Sequence, residues 1–167
     1  GMNAPVPITL VLSGPEETDR LARWFAPRLG PGDAILLEGQ IGAGKTQFAR
    51  SLIRARLAEE GVDEHVPSPT FTLVQLYQAG SVGIVHADLY RLSSPDEVHE
   101  LGLSDAFAKA ITLVEWPDRL GAEMPADRLV LTFRDSDGGR ARTVTVTATG
   151  DRWADTIAAL RREWAHP

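Results

Sequence analysis

Apolar residues recur along this chain with two different periods, and the changes between them outline its elements. Ile8-Thr-Leu-Val-Leu-Ser13 reads as a first strand. Ser13-Gly-Pro-Glu-Glu-Thr18 then opens a helix, with a capping serine, a proline in the first turn and early acids. That helix runs through Leu21, Trp24 and Phe25 to about Leu29, where Gly30-Pro31-Gly32 stops it. Residues 33–38 form a short apolar run with the character of a buried strand. Phe48, Leu52, Ile53 and Leu57 follow at helical spacing and predict a helix ending near Glu60-Gly61.

Beyond a loop held by Pro67 and Pro69, residues 71–77 are rich in β-formers, and residues 82–88 make the next strand. The three residues Ala79-Gly80-Ser81 between them predict an antiparallel hairpin. Ser94-Pro95-Asp96-Glu97 caps one short helix, and residues 105–110 suggest a second. Residues 110–115 are a short apolar strand ending in an acid. Residues 128–133 and 143–148 read as two strands joined through a glycine-rich turn. The second alternates cleanly, so one of its faces is expected in solvent. Trp153, Ile157, Leu160 and Trp164 form one stripe of a closing helix. These elements predict an α/β fold: a single P-loop NTPase-like domain over residues 1–167, with a mixed sheet flanked by helices. Its expected core includes Leu36, Leu37, Phe48, Leu52, Val85, Leu113 and Val114.

The link between the second strand and the second helix carries the chemistry. Gly39-Gln-Ile-Gly-Ala-Gly-Lys-Thr46 fits the phosphate-binding pattern G-x-x-x-x-G-K-[ST], in the strand-loop-helix context that the pattern needs. Glycines let the loop fold around an anion, with backbone N–H groups of Gly42, Ala43, Gly44, Lys45 and Thr46 pointing inward. The helix start adds unpaired N–H groups and the positive end of its dipole. Lys45 is expected to reach the β- and γ-phosphates, and the Thr46 hydroxyl to ligate Mg²⁺. Such a site needs a further carboxylate. Two apolar strands end in one, at Asp88 and at Glu115. One would hold Mg²⁺ and the other would orient or deprotonate the attacking water; spacing alone does not choose between them.

Other residues join these as candidates. Ser68 and Thr70 lie where nucleotide switches place a segment that senses the γ-phosphate. His86 precedes Asp88 by two positions, so both face the same side of a strand. Arg91 is available to a carboxylate or a phosphate. Trp116 is placed to stack on a base or to pack. Arg140 and Arg142, near a hairpin, are expected in solvent. Guanine-reading GTPases use an Asn-Lys-x-Asp stretch; Asn3 is the only asparagine here, which favours ATP.

Composition narrows the setting. Of 167 residues, 43% are hydrophobic and 24% charged, with a net charge of -6, which argues against wrapping nucleic acid over the whole surface. With no cysteine there is neither a disulfide nor a thiolate-bound metal. No apolar run approaches a membrane span, and no signal pattern opens the chain. A soluble, cytoplasmic protein without membrane contact is the expectation. Gly1 ahead of Met2 reads as a tag remnant.

Taken in order, Gly42-Ala-Gly-Lys-Thr46, Ser68-Pro-Thr-Phe-Thr-Leu-Val74, His86-Ala-Asp-Leu-Tyr-Arg-Leu92 and Val114-Glu-Trp-Pro117 resemble the bacterial TsaE (YjeE) family. The resemblance spans about residues 8–142. It implies a small ATPase, using ATP and Mg²⁺, needed for N6-threonylcarbamoylation of adenosine 37 in tRNAs reading ANN codons. It implies partners too: the proteins TsaB and TsaD, with tRNA met only through that complex, and weak hydrolysis without them. Carried over, Lys45 holds phosphate, Thr46 and Glu115 attend Mg²⁺, and Asp88 is the other essential carboxylate. Trp116 lies near the nucleotide and Ser13 near the adenine. Pro67 departs from the family, which often has a basic residue there. A small-molecule kinase is the main alternative, yet residues 93–109, where a lid would sit, hold no arginine. A nucleotide-gated binding module is the other.

Overall fold

In a computed structural model the described residues are 7–164. The chain forms strands β1 (Ile8–Leu12), β2 (Ala34–Gly39), β3 (Val74–Ala79), β4 (Val82–Asp88), β5 (Ile111–Glu115), β6 (Arg128–Ser136) and β7 (Ala141–Thr149). Helices α1 (Pro15–Phe25), α2 (Lys45–Glu59), α3 (Pro95–Glu100), α4 (Leu103–Lys109) and α5 (Ala154–Glu163) connect or flank them. All seven strands join one sheet in the order β1-β7-β6-β2-β5-β4-β3. Strands β6, β2, β5 and β4 run parallel, while β3, β7 and β1 pair antiparallel with their neighbours. The expected mixed sheet and both expected antiparallel pairs are present.

The parallel centre is buried on both faces, as crossover connections require. On one side Ile35, Leu37, Leu113 and Leu131 pack with Phe48 and Leu52 of α2, Phe25 of α1 and Leu160 of α5. On the other, Leu36, Val85 and Val114 pack with Val98, Leu103 and Leu120. All seven expected core residues are buried. Phe48 meets Phe25 and Phe133 edge-on, with ring centres 6.0 and 5.8 Å apart, tying α2 to α1 and β6.

Local boundaries differ from expectation where tertiary contacts decide. Gly14, not Ser13, occupies the cap position of α1 and no side chain caps it. Ser94 does hold the cap position of α3, but its side chain makes no capping bond. The first helix leaves α geometry after Phe25 and ends in a 3-10 turn over Ala26–Arg28. Strand β3 begins at Val74 rather than Phe71, because Leu73 takes a left-handed φ of 68° and its N–H bonds back to the Pro69 carbonyl. The hairpin turn has two residues, with Ala79 paired to Val82. Among the described residues no helix is long and apolar enough to cross a membrane.

Candidate functional site

The carboxyl ends of β2, β5 and β4 lie side by side, and the loop after β2 sits above them, the crevice where open α/β sheets bind ligands. Register explains why two distant acids meet. Asp88 and Glu115 are the last residues of adjacent parallel strands and are directly paired, with Leu37 paired to Glu115 on the other side. Above them a cavity of about 440 Å³ is lined by Gly42, Gly44, Lys45, Thr46, Asp88, Glu115 and Trp116, among others.

The loop's shape needs its glycines. At Gly39, with φ of 143°, an added Cβ would sit 2.6 Å from the Phe133 carbonyl oxygen. Gly44 caps α2 with φ of 109°, a left-handed value that lets the chain turn from the loop into the helix. That helix begins at Lys45, and Lys45 and Thr46 line the cavity, so its free N–H groups and dipole face it.

Two short hydrogen bonds organise the polar groups. The Thr46 hydroxyl donates to Glu115 Oε1 at 2.6 Å. His86 Nε2 lies 2.7 Å from Glu115 Oε2. The Lys45 ammonium donates to the Gly39 carbonyl at 2.5 Å and lies 3.7 Å from the centre of the Trp116 ring. Burial lowers the Lys45 pKa, opposed by the charges of Glu115, Asp88 and Asp118. Asp88 is buried, and its Oδ1 accepts the Tyr90 N–H at 3.0 Å. Burial raises the Asp88 pKa; Glu115 adds to the rise, while the Tyr90 N–H, His86 and Lys45 oppose it.

Lys45, Thr46, Asp88, Glu115 and Trp116 are therefore brought together. Trp116 itself has a left-handed backbone at φ 58° and packs against Tyr90, ring centres 4.9 Å apart. Thr70 lines the cavity and shares a 2.7 Å hydrogen bond with Ser68, which stands outside the lining. Arg91 lines it too, its guanidinium 4.4 Å from the centre of the exposed Phe71 ring. Ser13 is not among the lining residues. It follows Leu12, which pairs with Arg142 of β7.

Arg142 has a place in the site that sequence reasoning missed. Half-buried rather than fully in solvent, it lies 3.8 Å from Asp135 Oδ1, lines the cavity and donates from Nη2 to the Gly42 carbonyl at 3.1 Å. Nothing in its local sequence marks it, since only the β7-β6-β2 order carries it toward the loop.

The donor set suits a phosphate-bound divalent ion better than a protein-caged one. Among the described residues no three His, Cys, Asp or Glu side chains cluster to hold a metal by themselves. Mg²⁺ is commonly held by one or two protein oxygens together with phosphates and water. Thr46 and Glu115 offer such oxygens beside the loop.

Comparison with known proteins places the chain in a family. The family described as "Threonylcarbamoyl adenosine biosynthesis protein TsaE" matches residues 12–144. The TsaE protein of Rickettsia felis is 43% identical over 109 residues, which cover 65% of this chain and 62% of that protein. The TsaE protein of Bacillus subtilis is 36% identical over 149 residues, 89% of this chain and 90% of that one. The crystal structure of Bacillus subtilis YdiB superposes with a TM-score of 0.78 at 28% identity, covering 97% and 98% of the two chains. This chain belongs to the TsaE family.

Proposed function

We propose that this chain binds and hydrolyses Mg²⁺-ATP in the formation of threonylcarbamoyladenosine at position 37 of tRNAs reading ANN codons, acting in the cytoplasm with TsaB and TsaD. Family membership supports the pathway. The observation that supports the chemistry is the 2.6 Å bond from Thr46 to Glu115, which sets a hydroxyl and a carboxylate together at the helix start.

The residues divide the work by position. Backbone N–H groups of Gly42 and of the first turn of α2 would receive the phosphates, whereas the Ala43 N–H, expected to join them, donates to the Gln40 carbonyl at 3.1 Å. Lys45 leaves the Gly39 carbonyl for the β- and γ-phosphate oxygens, a stronger, charge-assisted bond. Arg142, already bonded to the loop, supplies a second cation at the same mouth. Thr46 and Glu115 would hold Mg²⁺, whose charge offsets that of the phosphates. Asp88 stands beside Glu115 without a bond to Thr46, and burial raises its pKa, which favours proton acceptance. It takes the role of orienting and deprotonating the water. The net charge of -6 is consistent with tRNA being held by the partners.

The two acids are separated experimentally by comparing binding with turnover. Asp88→Asn should bind Mg²⁺-ATP within a few-fold of the unaltered protein and release little phosphate. Glu115→Gln should lose the Mg²⁺-dependent part of binding. The reverse pattern would exchange the roles.

A further inference from the structure

His86 is buried completely in the second layer of the site, and its contacts are asymmetric. Nε2 lies 2.7 Å from Glu115 Oε2, while Nδ1 has no hydrogen-bond partner among the described residues. Glu115 Oε1 is already occupied by the Thr46 hydroxyl. A carboxylate only accepts, so Nε2 carries the hydrogen of this bond. In the other tautomer two lone pairs would face each other at Nε2, and a buried Nδ1–H would have no acceptor. The site therefore holds one orientation and one tautomer of this ring.

Position along the sheet makes the bond geometrically specific. His86 is paired across β4–β5 with Leu113, two residues before Glu115 on the same face. The ring thus reaches up the sheet to the underside of the carboxylate, and Thr46 meets it from α2. Glu115 is fixed at both oxygens, by a strand on one side and by the phosphate-loop helix on the other. Without the strand-side bond the glutamate would sample further rotamers, some turning its oxygens away from Thr46.

We propose that His86 is a positioning residue: by donating from Nε2 to Glu115 Oε2 it fixes the carboxylate in the orientation that serves Thr46 and Mg²⁺. It touches neither nucleotide nor metal. This rests on the nucleotide-site reading above and adds a residue outside the loop to its machinery.

The test is Mg²⁺ titration of binding of a non-hydrolysable fluorescent ATP analogue, with affinity without Mg²⁺ measured alongside. His86→Leu keeps the ring's apolar bulk and removes the donor. It should leave Mg²⁺-free affinity unchanged and raise the Mg²⁺ concentration needed for tight binding about tenfold, the scale of one hydrogen bond to a charged group. His86→Gln, whose amide nitrogen reaches roughly where Nε2 lies, should restore most of the Mg²⁺ dependence. His86→Asn, one carbon shorter, should not. Equal Mg²⁺ dependence in His86→Leu and the unaltered protein would overturn the inference. Should His86→Leu fail to fold, equal behaviour of the Gln and Asn variants would overturn it as well. If the unaltered protein bound no analogue at all, the nucleotide-site reading would fall first, and this inference with it.

Discussion

The ammonium of Lys45 lies 3.7 Å above the ring of Trp116 and donates to the Gly39 carbonyl at 2.5 Å. In the proposed site those two partners hold the place that phosphate oxygens would take. A cation held against an aromatic face in a desolvated position gains about 2 kcal/mol, less than a charge-assisted pair of bonds to phosphate. Binding is thus expected to move Lys45 off the ring. Trp116 emission should change on adding ATP, and Trp116→Phe should bind within a few-fold while losing most of that change. Fluorescence titration of both proteins checks this; an unaltered signal change in Trp116→Phe would assign it to another tryptophan.

Lys45→Ala should weaken ATP affinity by about 2–3 kcal/mol, on the order of a hundredfold, since a charge-assisted contact is lost from a buried site. The thermal stability of the nucleotide-free protein should change less than affinity does, because burial disfavours this charge while the Trp116 ring, the Gly39 carbonyl and the nearby carboxylates favour it. Calorimetric binding and thermal melts read the two effects separately. Unchanged affinity would contradict the place given to Lys45.

Asp88 also sets stability against function. Its folded pKa is raised above the ordinary 3.8, chiefly by burial. The folded state therefore binds a proton more readily than the unfolded one. Asp88 costs nothing below the unfolded value, and its cost grows as pH rises through the folded value; at neutral pH it is present in full. Asp88→Asn should raise the melting temperature of the nucleotide-free protein at pH 7, with the gain shrinking on acidification toward pH 4. A lower melting temperature at pH 7 would show that the charged form is favoured in the fold.

A structural pair far from the cavity offers a control. Arg152 grips both oxygens of the buried Asp33, which also accepts the Gly30 N–H at 2.7 Å. This joins the turn before β2 to the start of the closing helix. Arg152→Ala should cost about 2–3 kcal/mol of stability by leaving a buried carboxylate short of partners. ATP affinity at 25 °C should stay unchanged. Denaturant melts and binding isotherms measure these; a loss of affinity in the folded variant would couple this clamp to the site.

Much of this site was legible because covalent spacing sets it. Gly39 to Thr46 are one contiguous stretch, so strand, loop and helix follow from local rules. Asp88 and Glu115 were legible as acids at the ends of apolar strands. What spacing could not say was which acid meets Thr46, because that depends on β5 lying next to β2 while β4 lies one strand further out. For the same reason His86 was aligned with Asp88 on its own strand, whereas its partner is Glu115 on the next. Arg142 was misread because its neighbour is Gly42, 100 positions away, reached only through the antiparallel β6–β7 pair. Leu73 shows the same limit at the backbone. Its β-forming neighbours predict a strand, but its carbonyl accepts the Asp88 N–H from a left-handed turn.

Thr46, Glu115 and Asp88 are proposed to form an ATP-hydrolysing site that serves tRNA modification. Release of inorganic phosphate from Mg²⁺-ATP by the purified protein, alone and with TsaB and TsaD, tests it most directly. Slow release alone, clear stimulation by the pair, and loss of both in Asp88→Asn are the expected results. Equal release with and without a functional pair, or full release by Asp88→Asn, would contradict the account.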